Sequence, residues 1–192
     1  MRVEFRLSGS GGQGLLLAGI VLAEAAIIEG KNAVQTQSYG PEARGGSSKA
    51  EVVISDEDID YPKAIDPDFL LALTQESYRT YGALQGQGLI VVDSSVELSK
   101  DITARTIVVP ILKTAKEDLG KGVVANIVAL GVLGGLSEVA SPDNLERAVR
   151  ARVPKGTEDL NLKALRAGIE LAKKAHVAWK PRDLFDAGEH DE

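Results

Sequence analysis

The hydrophobic and polar positions of this chain predict a strand, a glycine-rich turn and a buried helix at its start. Val3, Phe5 and Leu7 alternate with charged residues, which is the period of a strand with one wet face. The segment Leu15–Ile28 is apolar at almost every position and has the length of a buried helix, and Gly30 is a residue type that ends helices. The glycines of residues 9–14 lie between the strand and the helix.

Short apolar runs bounded by turn residues predict further strands, and longer runs predict further helices. The strands are expected at residues 33–36, 50–54, 69–73, 89–92 and 106–109, and the helices at 75–84, 123–136, 142–152 and 158–179. The run 69–73 is apolar throughout, which is typical of an interior parallel strand. Strands alternating with helices predict an α/β fold, a three-layer α/β/α arrangement with a mostly parallel sheet.

Two local signals refine the helical half. Ser141, Pro142 and Asp143 form the start of a helix: a capping hydroxyl, a proline in the first position and an acid in the first turn. Gly131 and its neighbours Gly134 and Gly135 lie in a nearly uncharged helix, where they indicate close helix contact or the helix end. We expect one domain over residues 1–180 and a charged, mobile tail over 181–192.

Composition excludes several classes of function. The chain has 192 residues, a formal net charge of -6 and no cysteine. It therefore has no disulfide framework, no zinc–thiolate site and no cysteine-ligated iron–sulfur cluster of its own. The acidic balance and the absence of a basic stripe argue against nucleic-acid binding. The uncharged stretches are too short to span a membrane, so we expect no membrane partner and a cytoplasmic location.

The glycine turn is the first candidate contact site. Gly9, Gly11 and Gly14 satisfy a G-x-G-x-x-G pattern between a predicted strand and a predicted helix, the context in which a helix N-terminus holds phosphate. A dinucleotide site also needs an acid at the end of the second strand, and residues 35–37 there are Gln, Thr and Gln. The alternative is a tight turn whose glycines let a partner backbone approach. We favour partner contact, which is compatible with phosphate contact.

The loop of residues 37–46 is the second candidate. Glycine gives it backbone freedom, Pro41 stiffens it, and Arg44 can bind a carboxylate or a phosphate through two parallel hydrogen bonds. An ion pair of Arg44 with Glu42 or with a partner's carboxylate is the stronger interpretation, and Tyr39 either anchors an interface, reaches a ligand or serves packing. The candidate contact residues are Gly9, Gly11, Gly12, Gln13 and Gly14 in the turn and Tyr39, Gly40, Pro41, Glu42, Arg44, Gly45 and Gly46 in the loop.

No residue of the chain is predicted to be catalytic or to bind a metal. His176 lies in the last predicted helix and His190 in the tail, and neither has a nucleophile beside it in the sequence. The acidic cluster of residues 56–60 lacks the spacing of a calcium loop and is interpreted as a solvated turn.

Three ordered motifs resemble the gamma subunit of the 2-oxoacid:ferredoxin oxidoreductases. They are Ser-Gly-Ser-Gly-Gly-Gln-Gly at residues 8–14, Gln-Thr-Gln-Ser-Tyr-Gly-Pro-Glu-Ala-Arg-Gly-Gly at 35–46, and Ile-Ser-Asp-Glu-Asp-Ile-Asp-Tyr-Pro at 54–62. The resemblance spans nearly the whole chain, and the sequence of residues 37–44 is most similar to that of the 2-oxoglutarate branch. It implies the fold of the gamma domain of pyruvate:ferredoxin oxidoreductase. Pyruvate and branched-chain gamma subunits, a freestanding nucleotide-binding protein and a structural scaffold are the alternatives.

The resemblance implies a role in a complex. Such complexes convert 2-oxoglutarate, coenzyme A and oxidised ferredoxin to succinyl-CoA, CO2 and reduced ferredoxin. Thiamine diphosphate, Mg²⁺ and iron–sulfur clusters are implied on other subunits, so this chain is expected to bind no cofactor alone and to be inactive in isolation. Its implied partners are alpha and beta subunits, with a delta or ferredoxin-like subunit as a further candidate. The isolated chain is expected to be able to form a homodimer, because it exposes the surface meant for its partners.

Overall fold

A mixed sheet forms the centre of the fold in the computed structural model, which describes residues 1–38, 47–102 and 104–180. The strands are β1 (Arg2–Ser10), β2 (Asn32–Ser38), β3 (Ser47–Ser55), β4 (Phe69–Ala72), β5 (Leu89–Asp93) and β6 (Thr106–Val109). Their order in the sheet is β2-β3-β1-β4-β5-β6. Only β3 runs against the others, since it is antiparallel to both β1 and β2 while β1, β4, β5 and β6 are mutually parallel. The prediction of a mostly parallel sheet is confirmed.

Six helices lie against this sheet in the described residues. They are α1 (Leu15–Ile28), α2 (Gln75–Gly82), α3 (Ile111–Lys113, continued by the π-helical turn Thr114–Asp118), α4 (Ala125–Ser137), α5 (Pro142–Arg152) and α6 (Glu158–Lys174), with a 3₁₀ turn at Gly122–Val124 before α4. Within the described ranges, no helix combines the length and the apolar content that a membrane crossing needs.

The layers are unequal in thickness. Val3, Phe5 and Leu7 of β1 belong to the large core shared with α1, α4, α5 and α6. The opposite face of the sheet carries a smaller core beneath α2, which includes Tyr78. The three-layer α/β/α prediction is confirmed, with one layer represented by α2 and the segment 56–68.

The charged face of β1 is not wet, contrary to the sequence prediction. Glu4 is 8% exposed and Arg6 is 9% exposed. The Arg6 guanidinium donates from Nε to Glu51 Oε1 at 2.8 Å and from Nη2 to the carbonyl of Ala64 at 2.8 Å. Because a buried charge requires a partner, this ion pair explains how alternating charges occur on a strand that is buried on both faces.

Two predicted boundaries differ from the structure. β1 continues through Gly9 and Ser10, because these residues pair with Ser48 and Ser47 of β3, so the turn begins only at Gly11. The last helix ends at Lys174 and not near 179. His176 has a left-handed backbone (φ 49°), and the chain then turns so that Trp179 packs on Phe69 with ring centroids 4.7 Å apart.

The helix pair α4–α6 confirms the prediction of close contact at the glycines of α4. A Cβ atom on Gly131 would lie 2.2 Å from the Leu165 carbonyl oxygen, and one on Gly168 would lie 2.0 Å from the Val128 carbonyl oxygen. Both distances are far below van der Waals contact, so only glycine allows the two helix backbones to approach this closely. The helices α4 and α6 thus form the densest contact of the helical layer.

The start of α5 has the predicted cap and one partner that the sequence pattern did not indicate. The Ser141 hydroxyl accepts from the Asn144 N–H, and Pro142 occupies the first helical turn. Glu29, at the end of α1, accepts from the Ser141 N–H at 2.9 Å and from Asn144 Nδ2 at 2.6 Å. These hydrogen bonds lower the pKa of the Glu29 carboxyl from its ordinary value of 4.5, and the one from the Ser141 N–H has the largest effect.

Candidate functional site

The glycine turn lies at the end of the sheet where the carboxyl ends of the parallel strands meet, which is where ligands bind in open α/β sheets. The turn closes on itself through Gln13. The Gln13 N–H donates to the Ser10 carbonyl at 3.3 Å, and the Ser10 N–H donates to Gln13 Oε1 at 2.8 Å. Gln13, a predicted contact residue, therefore uses its side-chain oxygen within the chain.

At two of the predicted glycines, the space that a side chain would need is filled by other side chains of the same chain. A Cβ atom on Gly9 would lie 2.2 Å from Gln13 Oε1, so Gly9 makes room for the folded-back glutamine. A Cβ atom on Gly14 would lie 2.6 Å from Asn126 Nδ2, and this amide donates to the Gly14 carbonyl at 3.1 Å. Gly14 also has a left-handed backbone, with φ 72°, at the position before α1. These two glycines serve internal packing.

The other two glycines face open space. Gly11 and Gly12 are exposed, and no atom of the described residues lies within 4 Å of a Cβ atom built at either position. Gly12 has a φ of 85°, which explains its identity by backbone conformation. The four glycines of the turn thus divide into an inner pair, Gly9 and Gly14, that positions α1 and an outer pair, Gly11 and Gly12, that an external group can approach.

Two cavities flank the outer pair. One, of about 450 Å³, lies between the turn, the 3₁₀ turn and the start of α6, and it is bordered by Gly12, Leu17, Val123, Asn126 and Asn161 among others. Val123 is 80% exposed at its rim. The other, of about 300 Å³, lies between the turn and the ends of β2 and β3, and it is bordered by Gly11, Leu16, Gln37 and Lys49 among others. The turn is a ridge between two concave surfaces.

The predicted loop begins and ends beside this ridge. Ser38, the last residue of β2, is in register with Lys49, and Ser47, the first residue of β3, is in register with Ser10. The loop residues themselves lie outside the described residues, so their contacts stay a prediction. These residues are Tyr39, Gly40, Pro41, Glu42, Arg44, Gly45 and Gly46.

A model of the pyruvate ferredoxin/flavodoxin oxidoreductase family matches residues 4–171, which include all of the sheet except the first two residues of β1, and most of the helices. The chain belongs to this family. The 2-oxoglutarate synthase subunit KorC of Methanocaldococcus jannaschii is 48% identical to it over 179 residues, covering 91% of this chain and 96% of the relative.

Solved structures of oxidoreductases share the fold. The gamma subunit of a keto/oxoacid ferredoxin oxidoreductase from Geobacter sulfurreducens is 47% identical, with a TM-score of 0.81, covering 91% of this chain and 98% of that one. The 2-oxoglutarate:ferredoxin oxidoreductase from Magnetococcus marinus, solved with 2-oxoglutarate, coenzyme A and succinyl-CoA bound, has a TM-score of 0.79 at 22% identity. It covers 90% of this chain and 31% of that longer one, and it shows the fold alone.

The residues at the end of β2 give little support to the alternative of a dinucleotide site in this family member. Gln35 packs beneath Gly19 of α1 and donates from Nε2 to the Thr36 carbonyl at 3.1 Å, and Gln37 borders the smaller cavity. Neither supplies the carboxylate that a ribose hydroxyl requires. What remains in favour of an anion is the N-terminus of α1, which has no side-chain cap.

The remaining candidate groups in this family member lie away from the turn. His176 follows α6 and comes three residues before Trp179, which packs on Phe69 at the start of β4, the end of the strand away from the glycine turn. Asp56 pairs with the amino terminus of the chain at 3.0 Å. Over the described ranges, no group of three or more His, Asp or Glu side chains is arranged to hold a metal ion.

Asn126 is the site residue that sequence reasoning missed. It is 6% exposed, borders the larger cavity and links α4 to the carbonyl of Gly14. Its signal in the sequence was a single amide in the nearly uncharged segment Ala125–Ser137. A buried amide requires hydrogen-bond partners, and the exposed backbone of a glycine turn is one source of them.

Proposed function

We propose that this chain is the gamma subunit of a 2-oxoglutarate:ferredoxin oxidoreductase and that it packs against the subunits that carry the cofactors. The observation that carries the proposal is the 48% identity to a 2-oxoglutarate synthase subunit over nearly the full length of both chains. The reaction of the assembled complex joins 2-oxoglutarate, coenzyme A and oxidised ferredoxin to give succinyl-CoA, CO2 and reduced ferredoxin.

The chemistry of the chain supports a role that is not catalytic. Iron–sulfur clusters are held mainly by cysteine thiolates, and this chain has no cysteine. We therefore assign the clusters to other subunits, and from the resemblance to the family we assign thiamine diphosphate and Mg²⁺ to the alpha, beta and delta or ferredoxin-like subunits as well. The isolated chain is expected to show no turnover.

The geometry of the glycine turn supports its use as the docking surface. Gly11 and Gly12 project between two cavities, so a partner backbone can reach the turn without meeting a side chain of residues 1–38, 47–102 or 104–180. The loop 39–46 starts and ends on the same sheet edge. We assign this ridge, with the loop, to the contact that closes the thiamine pocket on the neighbouring subunits, where Arg44 meets a carboxylate or a phosphate of coenzyme A.

The substrate assignment is tested in the reconstituted complex. Ferredoxin reduction is measured with coenzyme A and either 2-oxoglutarate, pyruvate or 2-oxoisovalerate, with and without this chain. We expect 2-oxoglutarate to give the highest kcat/KM and turnover to be lost when the chain is omitted. Preference for another 2-oxoacid would overturn the substrate assignment, and full turnover without the chain would leave it a dispensable scaffold.

The docking surface is tested with a matched pair of glycines. Gly12 and Gly30 both have left-handed backbones, with φ 85° and 91°, and both face open space. Alanine at either position costs about 1–2 kcal/mol of backbone strain, so Gly12→Ala and Gly30→Ala should lower the melting temperature equally. Only Gly12→Ala should weaken binding to the partner subunits, measured by titration. Equal binding by the two variants would remove the turn from the interface.

The loop and the rival function have separate tests. Arg44→Ala in the assembled complex should weaken assembly or raise the concentration of coenzyme A required for half-maximal rate, and unchanged values of both would exclude Arg44 from the contact.

The rival is a freestanding nucleotide-binding protein that uses the uncapped α1 N-terminus. Submicromolar binding of NAD, FAD or ATP by the isolated chain would favour that rival.

A further inference from the structure

The free edge of the sheet and the outer flank of α1 form one continuous surface with almost no charge. Strand β2 is the last strand of the sheet in the part of the chain that the structure describes, and it pairs with β3 alone. Its sequence, Asn-Ala-Val-Gln-Thr-Gln-Ser, contains no charged residue and no proline. Charged side chains, proline and short length are the usual means by which proteins protect an edge strand from pairing, and this seven-residue strand has none of them.

Helix α1 continues this surface. Its fourteen residues contain one charged side chain, Glu24, which forms an ion pair with Arg152 of α5. A helix that is apolar all round is normally buried all round. Here Leu16 and Ile20 are half-buried and Ile27 is 57% exposed. The spacing of these three residues places them on one face of the helix.

This apolar stripe of α1, formed by Leu16, Ile20 and Ile27, lies on the β2 side of the helix. Gly19 faces the sheet over Val52 and Gln35, and Leu16 borders the same cavity as Gln37 of β2. The ion pair of Glu24 lies on the side toward α5. The stripe and the edge of β2 therefore face outward together.

We infer that this surface binds a second copy of the chain, with β2 pairing antiparallel to β2 of the copy and the two α1 stripes packing against each other. A twofold axis perpendicular to the sheet, midway between Gln35 of one chain and Gln35 of its copy, gives full overlap of the two strands, and such an interface is self-complementary. No like charges meet along the paired strands, because the strand carries none.

The spacing of the layers fits this arrangement. Helix α1 contacts β2 and β3 to nearly the same extent, so its axis lies roughly midway between them. With strands about 4.8 Å apart, the two α1 axes in the dimer lie roughly 10 Å apart, which is the upper end of the distance between packed helices. Continuing the sheet thus brings the two apolar stripes into contact without any change in the fold.

The size of the surface sets the expected strength. A seven-residue strand is about 23 Å long, and the edge with its flanking helix is roughly 20 Å high, so each copy buries roughly 450 Å². The total of about 900 Å² lies in the class of weak, reversible interfaces. The dimer is expected to form in the micromolar range, and the inference does not depend on which 2-oxoacid the complex uses.

The test is the oligomeric state of the full chain. Sedimentation over about 1 μM to about 1 mM, the range of weak interfaces, should show the mass rise from one chain of 20.3 kDa towards twice that value. Ile27→Glu should lower the association constant at least about tenfold, a loss of about 1.4 kcal/mol. Leu84→Glu is the matched control, because Leu84 is 68% exposed outside this surface, and its association should equal that of the unmodified chain.

The register is tested with single cysteines, which the cysteine-free chain makes unambiguous. Directly opposed residues in antiparallel strands have Cα atoms about 4.5–5.5 Å apart, a distance that a disulfide spans. Gln35→Cys should therefore give a covalent dimer on mild oxidation, and Leu84→Cys should not.

Several results would overturn the inference. A single-chain mass at every concentration would do so, as would equal association by Ile27→Glu and Leu84→Glu, or a disulfide yield no higher for Gln35→Cys than for Leu84→Cys. If the isolated chain stays monomeric and Ile27→Glu instead blocks binding of the alpha or beta subunit, the surface belongs to those partners and the dimer does not exist.

Discussion

The α4–α6 contact and the glycine turn both depend on glycine, and they use it in opposite ways. In the helix pair, the space beside Gly131 and Gly168 is filled by the backbone of the facing helix. In the turn, no atom of the described part of the chain fills the space beside Gly11 and Gly12. Glycine in the helix pair contributes to stability, whereas the outer glycines of the turn leave room for a group from outside the chain. Gly9 and Gly14 resemble the glycines of the helix pair, because the space beside them is also filled from within the chain, although they lie in the same motif as Gly11 and Gly12.

The largest effect is expected in the helix pair. Gly131→Ala places a methyl group 2.2 Å from the Leu165 carbonyl oxygen, where neither helix backbone can move without disturbing its own hydrogen bonds. The gain in helix propensity, about 1 kcal/mol, is smaller than the cost of overpacking. We expect a net loss of about 2 kcal/mol, seen as a fall of roughly 4–8 °C in melting temperature. An unchanged or higher melting temperature would contradict the close contact.

A smaller effect is expected at the inner pair of the turn. Gly14→Ala adds left-handed backbone strain of about 1–2 kcal/mol and a contact of 2.6 Å with Asn126 Nδ2. In a double-mutant cycle with Asn126→Ala, the combined loss should be less than the sum of the single losses, because the smaller residue removes the contact. Simple additivity, measured by denaturant unfolding, would show that Gly14 and Asn126 do not interact.

The cap of α5 by Glu29 gives a pH-dependent effect. Hydrogen bonds from the Ser141 N–H and the Asn144 and Ser141 side chains lower the Glu29 pKa. A lowered pKa stabilises the fold above the ordinary value of 4.5, and the contribution is lost as the pH falls through the lower folded-state pKa. Glu29→Gln should therefore melt below the unmodified chain at neutral pH, and the difference should shrink below pH 4.5. A difference that is constant with pH would contradict this role.

The smallest effect on stability is expected at the outer pair. Gly11→Ala meets nothing within 4 Å and needs no left-handed backbone, so the free energy of unfolding should change by less than about 0.5 kcal/mol. A bulkier change, Gly11→Leu, should be equally mild for the isolated chain yet weaken binding to the partner subunits. Strong destabilisation by either variant would place Gly11 with the inner glycines and contradict the division of the turn into an inner and an outer pair.

Much of the fold was predictable because local patterns and tertiary structure agree. The strands at 69–73, 89–92 and 106–109 and the Ser141–Pro142 helix start were found from composition and spacing alone. The α3 segment Ile111–Lys113 and its π-helical turn were missed. Its start is fixed by Asp93, whose Oδ2 accepts from the Leu112 N–H at 2.8 Å, and no pattern within residues 111–118 indicates so distant a partner.

The candidate site was predictable in place and not in detail. Glycine spacing located the turn, but it gave all the glycines one role. The division into inner and outer pairs depends on where Gln13 and Asn126 direct their side chains, and Asn126 is over one hundred residues away along the chain.

The sequence by itself determined the family, the alternation of strands and helices, and the absence of thiolate ligands, since each of these is a property of residue order or composition. Only the tertiary structure decided which glycines are filled, that the charges of β1 are buried in an ion pair, and that an uncharged strand stands at the sheet edge beside an apolar flank of α1. The reason is physical: these properties depend on which distant segment occupies a given space, and burial and pairing are made by contacts that residue order alone does not specify.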